Sequence, residues 1–308
     1  MTAYRDGSRK GLDLTISVPA SATTSAAQSD QGPQIRGGIL LRSIKHVESG
    51  RIICGPSLLV DELLSSSSAK DIRGLVEGLW AGQVGAFFEE PEKQDGSGKK
   101  ALGRTRMFLR RVLTPSTRRK EIFTSPRIGL DLSHPGVVAP VQTNVDVTDL
   151  HPRIRFLGRR YRFFTHPIEV VRSGKGRVQT FLGLLRSALK AQLSKTATSA
   201  ALPAEVTSAI VRNRAKIVAH VGNTGGLSVQ NVSKYLDDYL AGRGHTNGTV
   251  GGSKSAEKED VVLGARKKLT GFVGAQGKGA TGSVAKGLVL FGALDVVLGE
   301  EDNDIPPL

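Results

Sequence analysis

Two blocks near the N-terminus hold side chains whose chemistry goes beyond packing. Residues 39–43 (ILLRS) predict an apolar strand that ends in Arg42, and a guanidinium there can hold a water or a phosphate oxygen through a forked pair of hydrogen bonds. Residues 54–63 (CGPSLLVDEL) predict a Gly-Pro turn followed by a short helix that Ser57 caps. Singly, each block is most simply a core strand or a turn.

Two later blocks add backbone features and a basic strand. Residues 125–131 (SPRIGLD) combine a proline-led turn with a glycine that allows close backbone approach. Residues 161–164 (YRFF) predict a strand in which basic and aromatic side chains alternate. Alternation of this kind places charges on one side of a strand and aromatic anchors on the other.

Signatures of common enzymes and metal sites are missing from the sequence. Residues 277–282 (GKGATG) fit G-x-G-x-x-G, but the residues before them make a poor strand, which favours a flexible glycine-rich linker over a dinucleotide site. The single cysteine, Cys54, excludes a disulfide scaffold and a thiolate zinc site. G-x-S-x-G and H-E-x-x-H do not occur. We therefore expect no metal and no organic cofactor.

Positive charge is concentrated in one window. Residues 99–180 hold 18 Lys and Arg against 5 Asp and Glu, which is +13 of the net charge of +15. The basic side chains are interleaved with aromatic ones, as in RMFLRR and RFLGRRYRFF. This pattern predicts a polyanionic partner such as nucleic acid.

Length and patterning predict one mixed core followed by a helical tail. The 308 residues, 39% of them hydrophobic, suffice for a core of about 150 to 200 residues. Short apolar runs predict strands, and residues 179–193, 205–221 and 284–298 have helical apolar spacing. We expect an α+β core over residues 1–185, with loops at 19–34 and 91–100. Residues 186–308 would form a helical, low-complexity extension, looped where 11 glycines fall within residues 240–283.

The sequence also bears on compartment. No run of 18 apolar residues occurs, and the longest apolar stretch is interrupted by Lys286 and Asp295, so we expect no membrane partner. The first residues do not read as a secretory signal. With one cysteine, the chain is expected in a reducing, intracellular compartment.

Taken in order, the four blocks resemble the alkyladenine family of DNA-3-methyladenine glycosylases over about residues 12–170. In that family a VLLRAL-like strand precedes a GP-G/S-KL turn and helix, then a PRIG or RVGV segment, and finally an RF strand. Here residues 4–7 (YRDG) and 12–18 (LDLTISV) resemble the family's Tyr-Gly pair and LNI strand. The resemblance implies an α+β fold with a curved, mostly antiparallel sheet and flanking helices, and a nuclear location if the source is eukaryotic.

The resemblance implies a monomeric base-excision repair enzyme that hydrolyses the N-glycosidic bond of alkylated purines in double-stranded DNA. The target nucleotide would be flipped into a pocket, where Arg42 and the main-chain carbonyl of Leu130 would hold the attacking water. Four further residues would contact the substrate or the DNA: Tyr4, Thr15, which replaces the Asn of LNI, Arg127 and Arg162.

One part of the family pattern is not found here. Family members begin with a Glu-Thr-Glu-Ala-Tyr motif, whose first Glu is the general base, and they carry a pocket histidine. The resemblance places that segment upstream of Met1, so the chain as written would be incomplete and weakly active. The alternatives are a non-enzymatic basic RNA- or DNA-binding protein that grips phosphates through residues 99–180, and a scaffold protein with a disordered tail.

Overall fold

The computed structural model contains two compact units, residues 1–119 and 120–308. It describes residues 10–17, 36–85, 107–110, 120–140, 146–193, 203–245 and 256–299. Small antiparallel sheets with flanking helices make the fold α+β, and the predicted fold class is confirmed.

The domain boundary predicted at residue 185 does not match this division. Residue 185 lies inside one continuous helix, Arg177–Leu193, and Leu184, Leu185 and Ala188 are all buried along it. A boundary cannot fall within a helix whose core face continues on both sides of it. The division between residues 119 and 120 corrects the prediction.

The N-terminal unit contains two antiparallel pairs of strands and one helix. Strands β1 (Leu12–Ser17) and β2 (Arg36–Leu41) pair, as do β3 (Ser43–Lys45) and β4 (Ile52–Cys54). Helix α1 (Pro56–Ser66) follows, and a π-helical turn spans Gly74–Leu79. Leu12, Leu59 and Val60 form the buried centre of this unit.

Helix α1 begins two residues earlier than a Ser57 cap would allow. Gly55 is the N-cap and has φ 130°, a value that favours glycine, while Pro56 takes the first helical position. Ser57 lies inside the helix, and its hydroxyl donates a hydrogen bond to the carbonyl of Lys10. The helix is confirmed, and its predicted cap is wrong.

The C-terminal unit holds one short hairpin and eight helices among the residues that the structure describes. The hairpin strands are β5 (Phe123–Ser125) and β6 (Arg162–Phe164). The helices are α2 (Pro152–Leu157), α3 (Pro167–Arg172), α4 (Arg177–Leu193), α5 (Pro203–Arg212), α6 (Arg214–Gly225), α7 (Val229–Gly242), α8 (Ala256–Thr270) and α9 (Val284–Leu298).

Helix α9 is the central helix of this unit. It is buried along nearly its whole length and packs against α7 and α8. Gly292 makes close packing possible, because a Cβ there would lie 2.2 Å from the carbonyl oxygen of Tyr239 on α7. Helix α8 lies within the stretch predicted to be looped, so that prediction is wrong. Tertiary packing of α8 on α9 outweighs the local signal of the glycines.

A membrane crossing requires a helix that is both long and apolar. No single one of the described helices meets both requirements. Residues 274–282 and α9 meet them only when taken together, as a pair bent by 110°.

Candidate nucleic-acid interface

The hairpin of β5 and β6 sorts its aromatic side chains onto two faces. Phe123 pairs with Phe164, and both rings are buried with their centroids 5.4 Å apart. Thr124 pairs with Phe163, and the Phe163 ring lies on the opposite face, 58% exposed. Alternation along the strand therefore turns one phenylalanine into the core and its neighbour to solvent.

Helix α2 brings a second exposed ring close to this hairpin. His151 caps the helix by accepting a hydrogen bond from the Arg153 N–H, and Pro152 takes the first helical position. Ile154 is buried and anchors the helix, whereas Phe156 is 54% exposed. The Phe156 ring lies 6.0 Å from that of Tyr161, which is 44% exposed.

We call residues 151–164 (HPRIRFLGRRYRFF) the arginine–aromatic segment. It holds five arginines and no Asp or Glu. Three of its four aromatic rings, those of Phe156, Tyr161 and Phe163, are among the exposed large hydrophobic side chains of the protein. The segment therefore combines a high density of arginines with exposed rings on a short length of chain.

Arg162, a predicted DNA contact, is turned inward. Its guanidinium donates hydrogen bonds of 3.1 Å to the Ser125 hydroxyl and 3.2 Å to the Thr180 hydroxyl, and both of these side chains are fully buried. It also lies over the Phe164 ring, 4.5 Å from the centroid. These contacts tie β6 to β5 and α4.

The expected separation of charges from aromatic side chains does not hold at this strand. The sequence predicts charges on one side and aromatic anchors on the other, but Arg162 shares the inward face with Phe164, and Phe163 points out. Phe164 must fill the space beside Phe123, and residues 162 and 164 share one face of the strand. The hydroxyls of Ser125 and Thr180 satisfy the guanidinium that this register buries.

Leu130, the predicted catalytic carbonyl, lies in a loop fixed by the glycine-rich segment. Its carbonyl accepts a hydrogen bond of 3.1 Å from the Thr281 hydroxyl. The neighbouring Asp131 carboxylate accepts hydrogen bonds from Ser133 and from the Gly279 N–H. Residues 277–282 are thus bound to the loop, and the prediction of a flexible linker there is wrong.

The Asp131 carboxyl has a lowered pKa. Burial acts to raise it, but the hydrogen bonds from Ser133 and Gly279 and the charge of Arg153 together outweigh burial. The Nε of Arg153 also donates 2.7 Å to the Asp131 carbonyl. Arg153 is therefore the second arginine of the segment that supports the local fold.

Three other arginines of the segment lie around the exposed rings. Arg155 is in the last turn of α2, and Arg159 and Arg160 lie half-buried in the connection to Tyr161. The buried Nε of Arg155 has no hydrogen-bond partner among the residues that the structure describes. Arg127, another predicted contact, is exposed in the turn before Gly129, whose φ is 85°.

The remaining predicted site residues belong to the N-terminal unit. Arg42 is half-buried between β2 and β3, and its carbonyl accepts a hydrogen bond of 2.7 Å from Gly55. Thr15 is exposed on β1, opposite Gly38. Tyr4 lies outside the described residues. Leu130, Arg127 and Arg162 belong to the C-terminal unit, so a role that joins Arg42 to Leu130 stays a prediction.

Comparisons of the chain with protein-family models, curated proteins and solved structures found no match.

Proposed function

We propose that this protein binds nucleic acid through the arginine–aromatic segment, with little dependence on base sequence. One observation carries the proposal: residues 151–164 hold five arginines, no acidic side chain and three exposed aromatic rings. A phosphate backbone offers the negative charge that such a surface lacks. The proposal corresponds to the non-enzymatic alternative that composition supports.

The chemistry of arginine supports phosphate as the ligand. Its planar guanidinium is permanently charged, is weakly hydrated and matches two phosphate oxygens at once. Arg155, Arg159 and Arg160 are the segment's candidates for this contact, because they precede Tyr161 directly or lie beside Phe156 in the chain, whereas Arg162 and Arg153 bind core and loop groups. Contacts to phosphates fix the position of a protein on the chain but carry no sequence information.

Replacing Arg159 and Arg160 together by glutamine is expected to weaken nucleic-acid binding by about tenfold or more at about 50 mM salt, because each phosphate contact releases a counterion. Fluorescence anisotropy with a labelled oligonucleotide measures the change. The matched control replaces Arg212 and Lys216 by glutamine; these side chains are exposed on α5 and α6. It removes the same charge outside the segment and should bind nearly as the parent does. Equal loss in both variants would contradict the proposed surface.

Base excision from alkylated DNA is our second candidate function. The blocks that carry the family resemblance adopt the expected local structures, since β2 ends before Arg42, the Gly55-Pro56 turn begins α1, and a turn contains Gly129. Such structures are common in unrelated folds, so they support excision less strongly than the segment supports binding.

We expect the chain to excise ethenoadenine or hypoxanthine from duplex DNA very slowly. A positioned carboxylate base is typically worth about 10²- to 10⁴-fold in rate, and the sequence offers none of the family type. Alkaline cleavage of abasic sites after incubation measures the yield. Cleavage at the rate of a competent glycosylase would contradict this expectation. Asp6, Asp13 and Glu48 would then be replaced in turn as candidate bases.

A further inference from the structure

The exposed rings of the arginine–aromatic segment are placed in series. The centroids of Phe156 and Tyr161 are 6.0 Å apart. Phe163 lies on the face of β6 opposite to Arg162, and the exposed Tyr161 directly precedes the strand; alternate residues of an extended chain are about 7 Å apart. The segment therefore presents a short row of rings on the outer side of the hairpin.

Because these rings are exposed, they do not give the fold the stabilisation that buried aromatic side chains provide. Burying a phenylalanine side chain stabilises a fold, and Phe164, one residue beyond Phe163, is buried. Isolated exposed apolar residues are ordinary, but three aromatic rings within eight residues form a patch. The arginines between them favour an occupant that has both flat apolar faces and negative charge.

We propose that the arginine–aromatic segment binds single-stranded nucleic acid, with unpaired bases stacked on Phe156, Tyr161 and Phe163 and phosphates held by the neighbouring arginines. This inference rests on the proposed function and specifies its ligand. Stacking accepts every base, because each has a π face, so it agrees with binding that has little sequence preference.

Duplex nucleic acid offers these rings much less. Its bases are stacked on one another, so their faces are covered and only phosphates, sugars and groove edges are accessible. A duplex can therefore engage the arginines, but it cannot use the rings unless its bases unstack, which is unfavourable. Single strands gain both contacts, and a preference for them distinguishes stacking from charge alone.

The experiment measures anisotropy of the full chain with a labelled single strand of roughly 15 nucleotides and with the duplex of the same length. Phe163→Leu and Tyr161→Leu keep an apolar side chain but remove the ring. Each is expected to weaken single-strand binding by roughly 5- to 100-fold, the range of one stacked base, and to change duplex binding by less than about twofold.

Two further variants act as controls. Phe163→Trp keeps a stacking surface and should retain single-strand affinity, which shows that loss in the leucine variant does not come from misfolding. Ile122→Ala changes an exposed aliphatic side chain at the start of the same hairpin and should have little effect.

Each failure has a separate meaning. If single strand and duplex bind equally and the leucine variants bind as the parent does, stacking is overturned while salt-sensitive binding leaves the proposed function standing. If duplex binds more tightly than single strand, the inference is likewise overturned. If neither form binds, the proposed function fails and the inference fails with it.

Discussion

Replacing Arg243 by methionine is expected to lower the free energy of unfolding by about 3–5 kcal/mol. Arg243 follows α7 and is only 1% exposed. Its Nε donates a hydrogen bond of 2.9 Å to the Thr207 hydroxyl on α5, and its Nη1 donates one of 3.0 Å to the Tyr239 hydroxyl. Tyr239 in turn donates 2.6 Å to the Asp295 carboxylate on α9. One guanidinium thus connects three helices, and methionine cannot replace its hydrogen bonds.

The half-buried carboxyl of Asp295 makes this loss severe. Burial raises the pKa of Asp295, and the charge of Arg243 is the largest of the opposing influences, ahead of the Tyr239 hydrogen bond and the charge of Arg186. Without Arg243 the ionised carboxylate loses its main compensation in an apolar environment. The cost should therefore fall largely on α9, the central helix of the C-terminal unit.

Asp295→Asn is the matched variant for this network. Asparagine keeps an oxygen for the Tyr239 hydroxyl and carries no charge, so it should destabilise much less than Arg243→Met. The loss of unfolding free energy in the double variant should differ from the sum of the two single losses by about 1–3 kcal/mol, because both residues act in one network. Urea unfolding followed by circular dichroism gives all three values. A change below about 0.5 kcal/mol for Arg243→Met would contradict the role assigned to this network.

Because the pKa of Asp295 is raised, we expect the stability of the fold to depend on pH. A carboxyl whose folded-state pKa is raised stabilises the fold below its unfolded pKa, and this contribution is lost as pH rises toward the folded value. The parent should therefore lose the contribution of Asp295 as pH rises above the ordinary carboxyl range. Asp295→Asn removes this dependence.

Local periodicity was enough to predict several elements of the fold. Residues 284–298 read as a helix, and α9 has these bounds, because its apolar side chains are buried in the core. Residues 205–221 read as one helix but form two, α5 and α6, with Asn213 between them. Asn213 departs from helical dihedral angles, with φ −105° and ψ 17°, although its N–H still donates to the Ala209 carbonyl.

The local sequence pattern could not predict which side chains of β6 point into the core and which point to solvent. An alternating run such as YRFF fits either orientation, since a shift of one residue moves every side chain to the other face. Ser125 and Thr180 decide the outcome, and they are 37 and 18 positions from Arg162 in the chain. Long-range partners of this kind give no signal near residue 162.

Affinity for nucleic acid is expected to fall roughly a thousandfold between 50 and 200 mM salt. This value assumes that about six to eight of the 18 Lys and Arg side chains in residues 99–180 contact phosphates. Each contact releases a condensed counterion, and the free energy of that release shrinks as salt is added. Binding through apolar surface alone would show little of this dependence.

The salt dependence of nucleic-acid binding tests the central claim most directly. Anisotropy measures it for the parent chain and for a variant in which Arg155, Arg159 and Arg160 are all replaced by glutamine. The account predicts a steep linear fall of log affinity with log salt in the parent, and a slope shallower by about two to three in the variant. A parent without a salt slope, or a variant with the parent's slope, would contradict nucleic-acid binding through the arginine–aromatic segment.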